Sequence, residues 1–210
     1  MKSKSSMNVP NTLSLIRVFL VPAFVVSLLF MRDMRIWGLV VPAVIFIITG
    51  LTDMLDGKIA RKYNLITDFG KFIDPLADKF MVIGSQIALL LWLVLRAEIT
   101  LSLVFVWVVL IILLRELGVT SLRLVVAGQS GIVVAASMLG KIKTVSQMAG
   151  TVLIILEPLL LEFASVNSVF VTIYRYHYVS YFAMAVMAFT TLFSGLDYLK
   201  AYLPYIDSNK

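Results

Sequence analysis

The sequence predicts an all-α integral membrane protein: one domain over residues 1–210, with six transmembrane helices and both termini in the cytoplasm. Three observations carry this expectation. Of the 210 residues, 60% are hydrophobic and only 14% charged, a balance that belongs to chains embedded in lipid rather than to soluble domains. Apolar runs recur six times, most of them near the roughly 20 residues that one crossing requires. Basic residues divide unevenly between the two sides that alternating crossings define.

The first run, 12–31, follows Lys2, Lys4 and "NVPN" at Asn8–Asn11, a helix-start signal. Arg17 interrupts its early part and no small-residue cleavage site follows Phe30, so a retained helix is expected rather than a signal peptide. The second run, 36–52, is short only if it stops at the aspartates. Continued through Asp53, Asp56 and Ala60 it gains a normal length and sets carboxylates at one membrane edge. The third run, 72–95, and the fourth, 99–126, need no extension. The fifth, 144–161, carries Glu157 and Pro158 late, as helix-end features near the outer face. The sixth, 176–199, opens beside His177, the only histidine, among Tyr174, Tyr176 and Tyr178; an interfacial aromatic belt accounts for that cluster. No internal repeat or low-complexity linker divides the chain.

Most lysines and arginines, from Lys2 to Lys210, fall on one side of this layout, while the other receives Arg32, Arg35, Arg96 and Arg175. That bias places both termini and the aspartate segment in the cytoplasm, so the chain is expected in the cell membrane with its polar site facing inward. The net charge of +6 then belongs to loops meeting anionic lipid head groups, and not to a nucleic-acid surface. Cysteine is absent, which excludes disulfides, thiolate metal sites and a cysteine nucleophile.

The stretch "TDMLDGKIARKYNLITDFGKFIDPLADKF", Thr52 to Phe80, concentrates five aspartates. Asp53 and Asp56 are three residues apart and Asp74 and Asp78 four apart, so each pair shares a helix face. Two antiparallel helices joined by the intervening polar segment would bring four carboxylates together. Unpaired, they would repel one another and lose hydration; a divalent cation removes the conflict. All-oxygen ligation favours Mg2+ or Mn2+, and four ligands allow two ions, an arrangement suited to displacement at phosphorus. Gly57 and Ala60 leave room beside Asp56 for a flat group or a phosphate, and Arg61 offers a planar fork to phosphate oxygens. Asp68 lies outside the paired spacing and is expected to be a solvated loop charge or a helix cap.

Written as a pattern, the segment runs Asp53, Asp56-Gly57, Ala60-Arg61, Gly70, Asp74, Asp78. It resembles, without a departure, the signature of the CDP-alcohol phosphotransferase family of membrane enzymes, and the length and six-helix layout agree along the whole chain. Such enzymes move a substituted phosphate from a CDP-linked donor to an alcohol and release CMP. The resemblance implies that Asp53, Asp56, Asp74 and Asp78 bind the metal ions and that Asp78 is also the general base. It places the CDP donor on Gly57, Ala60, Arg61 and Gly70, with Arg61 at the diphosphate, and it implies a homodimer.

Further stretches, "NVPNTLSLIRVFLVP", "TDFGKFIDPLADK", "LLRELGVTSLRLV" and "GKIKTVSQM", are similar to the branch that uses CDP-diacylglycerol and sn-glycerol 3-phosphate. That branch yields phosphatidylglycerophosphate and CMP for phosphatidylglycerol and cardiolipin synthesis. An acceptor with its own phosphate needs additional cations, for which Arg115, Arg123, Lys141 and Lys143 are the candidates, with Thr144 and Ser146 as further hydrogen-bonding groups. The plainer alternative is anchoring of these cations to anionic lipid, with Glu116 as a local partner for one of them. Inositol phosphate, serine or phosphatidylglycerol would be the acceptor in other branches. A divalent-cation transporter is the rival of another class, and it would spread carboxylates toward mid-membrane on separated helices.

Overall fold

A computed structural model describes residues 9–63, 67–130, 137–163 and 168–207, with side chains at all of these except 9–10, 56–62, 68, 71, 129–130 and 206–207. Every regular element in it is helical. The order is α1 Val9–Phe30, α2 Trp37–Lys62, α3 Asp68–Leu95, α4 Ile99–Ser130, α5 Met138–Leu156, a 3₁₀ segment Glu157–Phe163, α6 Ser168–Arg175 and α7 Tyr178–Asp207. Six of these, α1 to α5 and α7, are long and apolar enough to cross a membrane.

The second apolar run does continue past the aspartates, since α2 reaches Lys62 and carries Asp53 and Asp56 in its last turns. Asp68 opens α3, with Thr67 as the N-cap whose hydroxyl accepts the Gly70 N–H at 3.0 Å. The fifth crossing begins earlier than its apolar run, at Met138, because Ser137 caps it by accepting from the Gly140 N–H; a cap fixes a helix start more firmly than hydropathy does. The short helix α6 is an addition to the expected set. Its eight residues are too few for a crossing.

Lipid tails are as apolar as leucine, so close packing and interhelical hydrogen bonds must hold such a bundle. The larger buried core runs from Phe24 and Leu28 on α1 to Trp92 on α3, Phe105 and Ile112 on α4, Ile154 on α5 and Met187 on α7, and a smaller one joins Val119 and Val126 of α4 to Tyr198 and Tyr202 of α7. Phe24 meets Phe46 of α2 with ring centroids 5.0 Å apart. Gly150 lets α5 close on α7, since a Cβ there would run into the Met187 side chain. Polar pairs cross between helices: Gln86 donates to Thr151 at 2.9 Å and Gln147 to Thr191 at 3.0 Å in the core, and the partly buried hydroxyls of Ser146 and Thr190 hydrogen-bond to each other at 2.6 Å. Such pairs contribute about 0.6 kcal/mol each in a bilayer. Large apolar side chains cover the outside instead, Phe19, Phe30 and Leu114 each being more than 70% exposed, which is the surface a lipid solvent requires.

The expected pairing of α2 with α3 is where the architecture differs. Both helices lean on α1 rather than on each other, and α5 and α7 with α4 complete the bundle. Whatever gathers the aspartates must therefore involve α1.

Candidate functional site at the aspartate end

The start of α1 is wedged between the two aspartate-bearing helices. Asn11 Nδ2 donates to Thr67 Oγ1 at 2.8 Å, Ser14 Oγ donates to Asp74 Oδ1 at 2.6 Å, and Arg17 Nη1 donates to Asp53 Oδ1 at 2.6 Å. One face of one helix turn after another thus reaches the start of α3, then Asp74, then Asp53. Arg17 is 1% exposed and Asp53 28%, so the arginine is sealed inside while the carboxylate keeps one side open. Gly70, expected near the donor, is buried, and a Cβ there would lie 2.7 Å from Asn11 Oδ1. Its missing side chain admits α1.

Asp78, one turn beyond Asp74 on α3, is partly buried. It feels the like charges of Asp53 and Glu116 and the opposite charges of Lys143 and Arg17. Asp78 therefore lies on the side of α3 that packs toward the middle of α4 and the start of α5, where Glu116 and Lys143 stand. Asp56, Gly57, Ala60 and Arg61 occupy the last turns of α2, and their side chains lie outside the described residues.

On the facing side the structure gathers two of the four candidate cations. Glu116 Oε1 accepts from Arg115 Nη1 at 3.1 Å and from Lys143 Nζ in a tight buried pair. Arg115 also donates through Nη2 to Ser194 Oγ at 2.6 Å and lies over the Tyr198 ring, 5.2 Å from its centroid. Arg123 and Lys141 are exposed and stand outside this buried group. Thr144 donates to the Gly140 carbonyl of its own helix, and Ser146 lies within hydrogen-bond distance of the Lys143 carbonyl and of Thr190 on α7, so both hydroxyls are already engaged within the bundle. The role of Ser14, and the service of Glu116 to both cations, have no signature in the sequence beyond the polarity of these residues inside apolar runs.

The donor set at this end is all oxygen, which suits a hard cation. Asp53 and Asp78 lie on helices that flank α1 and are close enough for their charges to interact, a repulsion that a divalent cation relieves. Among the described residues, no three such side chains converge tightly enough to hold an ion by themselves.

A second polar cluster closes the opposite end. His177, in the left-handed region at φ 50°, contacts Glu98 Oε2 through Nε2 at 3.0 Å and Glu157 Oε2 through Nδ1 at 3.4 Å. Glu157 is indeed a helix-end feature, though for the following helix: it accepts from the backbone N–H of Val179 and Ser180 and from the Ser180 hydroxyl at the start of α7. Tyr174 donates to Glu98 at 3.3 Å, and burial raises its phenol above the ordinary value while the neighbouring Arg96 acts against that rise. Far from being only an aromatic belt, His177 ties three elements together.

Signature and architecture point to one class, and comparison with known proteins agrees: the chain belongs to the CDP-alcohol phosphatidyltransferase family, whose model matches residues 7–193. More particularly, it is 42% identical over 170 residues to the CDP-diacylglycerol--glycerol-3-phosphate 3-phosphatidyltransferase of Bacillus subtilis, covering 75% of this chain and 81% of that one. The protein of the same name from Salmonella paratyphi A is 35% identical over 205 residues, 92% of this chain and 94% of its own. A probable phosphatidylglycerophosphate synthase of Mycobacterium tuberculosis is 34% identical over 200 residues, 91% and 80% of the two chains.

Proposed function

We propose that the protein transfers the phosphatidyl group of CDP-diacylglycerol to sn-glycerol 3-phosphate, giving phosphatidylglycerophosphate and CMP. The observation that carries this reading is the meeting of two opposite groups at one end of the bundle. Asp78 of α3, close enough to sense Asp53 of α2, also senses the Glu116–Lys143 pair that Arg115 joins on α4 and α5. The first group suits a metal-bound diphosphate, the second an acceptor that brings its own phosphate. The names of the relatives support the same pair of substrates.

Asp53, Asp56, Asp74 and Asp78 would hold two Mg2+ or Mn2+ ions. Bound there, such ions would neutralise the donor diphosphate and ease departure of CMP. The chain's own residues do the rest. Ser14 and Arg17 hold Asp74 and Asp53 in place, Arg61 steadies the diphosphate, and Lys143 and Arg115 orient the acceptor. Asp78 takes the proton of the acceptor 1-hydroxyl as its oxygen attacks the phosphorus bearing diacylglycerol. Direct displacement is the simplest course, since no serine, cysteine or histidine stands in the aspartate segment as an evident nucleophile. The acyl chains stay in lipid, and the basic bias of this end supports a site that faces the cytoplasm at the inner leaflet of the cell membrane. A homodimer is adopted on the family resemblance alone.

The test is CMP release by purified protein with CDP-diacylglycerol and a panel of acceptors, with and without Mg2+ or Mn2+. Glycerol 3-phosphate is expected to lead. A clear preference for inositol phosphate, serine or phosphatidylglycerol would keep the family and move the acceptor. Metal uptake into liposomes without CMP chemistry would favour the transporter, although carboxylates gathered at one end of the bundle suit a nucleotide better than an ion path.

A further inference from the structure

We propose that Glu116 is a positioning residue for the acceptor: through one carboxylate oxygen it sets the spacing of Arg115 and Lys143, and the pair so held selects an alcohol that carries its own phosphate. This deepens, and rests on, the phosphatidyl-transfer reading.

Glu116 is 5% exposed and Lys143 2%. Two cations from different helices, α4 and α5, would repel each other in such a place without an anion between them. Glu116 Oε1 accepts from both, so a single atom fixes where each cation points. Arg115 is locked further by Ser194 and Tyr198 of α7. The three helices therefore converge on a rigid group rather than on flexible surface arms.

Two cations and one carboxylate leave a net charge of +1, which is what discriminates. A phosphate-bearing acceptor gains from it, while a neutral alcohol does not. Donors remain for that purpose: Lys143 has three N–H groups, of which Glu116 takes one. The group stands near the proposed base, since α3, which carries Asp78, packs on both α4 and α5 and Asp78 senses the charges of Glu116 and Lys143. Stability alone does not require such a triad, since buried ion groups can often be replaced by apolar residues of similar volume without loss.

The experiment measures CMP release at varied glycerol 3-phosphate under saturating CDP-diacylglycerol, and the converse, for wild type, Glu116→Gln and Glu116→Asp. Glu116→Gln keeps the shape but frees the cations to repel. It is expected to raise the KM for glycerol 3-phosphate about tenfold, as loss of a charge-assisted contact does. The KM for CDP-diacylglycerol should hold within about twofold, and the preference for glycerol 3-phosphate over plain glycerol should narrow. Glu116→Asp, which keeps the charge, should recover part of the affinity. It carries the same test should Glu116→Gln fail to fold. An unchanged KM for glycerol 3-phosphate, or an equal rise in both KM values, in an active, folded variant would overturn the role of Glu116 alone. Wild-type protein that releases no CMP with glycerol 3-phosphate would overturn the reading beneath it.

Discussion

Arg17 of α1 and Asp53 of α2 form an ion pair at 2.6 Å in which the arginine is sealed from solvent and the aspartate is not. The pair keeps a buried charge compensated while the carboxylate stays partly exposed, 28% against 1% for the arginine. Removing one partner of a buried pair typically costs about 3–5 kcal/mol, the upper end being discounted here because Asp53 is partly solvated. Arg17→Met is accordingly expected to lower thermal stability in detergent and to abolish most CMP release. Arg17→Lys keeps the charge without the planar fork and should fall between. An Arg17→Met variant with wild-type melting and turnover would show that the pair matters to neither.

Ser14 supplies a smaller effect of the same kind. Its hydroxyl donates to Asp74 at 2.6 Å, orienting a carboxylate that is otherwise exposed. A hydrogen bond to a charged group contributes about 1.5–3 kcal/mol at most, and less where water can replace it. Ser14→Ala should lower kcat/KM by roughly three- to tenfold, about 1 kcal/mol of transition-state stabilisation, with little change in melting. Asp74→Asn should be far more damaging than Ser14→Ala, and equal losses would mean that Asp74 acts only through the serine.

Chelation separates the carboxylates' chemical part from their structural one. EDTA treatment is expected to stop CMP release, and Mg2+ or Mn2+ to restore it, if Asp53, Asp56, Asp74 and Asp78 hold metal. Because Arg17 and Ser14 already satisfy Asp53 and Asp74 without metal, the chelated protein should stay folded. Full activity after exhaustive chelation would remove the metal from the mechanism.

The crossings were legible because hydropathy and length decide them: α1 to α5 and α7 all fall on apolar runs. The Asp53–Asp56 and Asp74–Asp78 pairings were legible because spacing alone sets helix faces, and α2 and α3 do carry them. What the sequence could not convey is tertiary. That α1 lies between α2 and α3 depends on how side chains interdigitate, so the contacts of Ser14 and Arg17 had no local signal. Glu116 could be paired with its neighbour Arg115 from sequence, but Lys143 lies 27 positions away on another helix. α6 escaped because eight residues give too few turns for a periodic pattern to stand out.

Ala97 marks a place where the chain tolerates strain. It sits at φ 61° after α3, and its N–H donates to the Val94 carbonyl at 3.0 Å while that of Glu98 donates to Leu93 at 3.1 Å. This is the paired-bond helix ending in which glycine is preferred at the left-handed position. Ala97→Gly should therefore stabilise the protein by about 1 kcal/mol, the left-handed penalty of a non-glycine residue less the greater chain entropy of glycine. Thermal unfolding in detergent measures it, and a lower melting temperature would count against the assignment.

His177 tests whether the two ends of the bundle are independent. Like Ala97 it holds a left-handed backbone, but here the side chain compensates by joining Glu98 of the α3–α4 turn to Glu157 below the start of α7. Glu157 keeps three other donors from Val179 and Ser180, and Glu98 keeps Tyr174, so loss of the imidazole leaves neither carboxylate bare. His177→Ala should cost about 1–2 kcal/mol rather than the full penalty of an unpaired buried charge. Its effect should appear as a lower melting temperature and as easier opening of the α6–α7 corner in hydrogen exchange. The KM values for CDP-diacylglycerol and glycerol 3-phosphate should stay unchanged, because the candidate site lies at the other end of the same helices. A His177→Ala protein that melts normally but binds glycerol 3-phosphate poorly would mean that the two ends are coupled through α4 and α7.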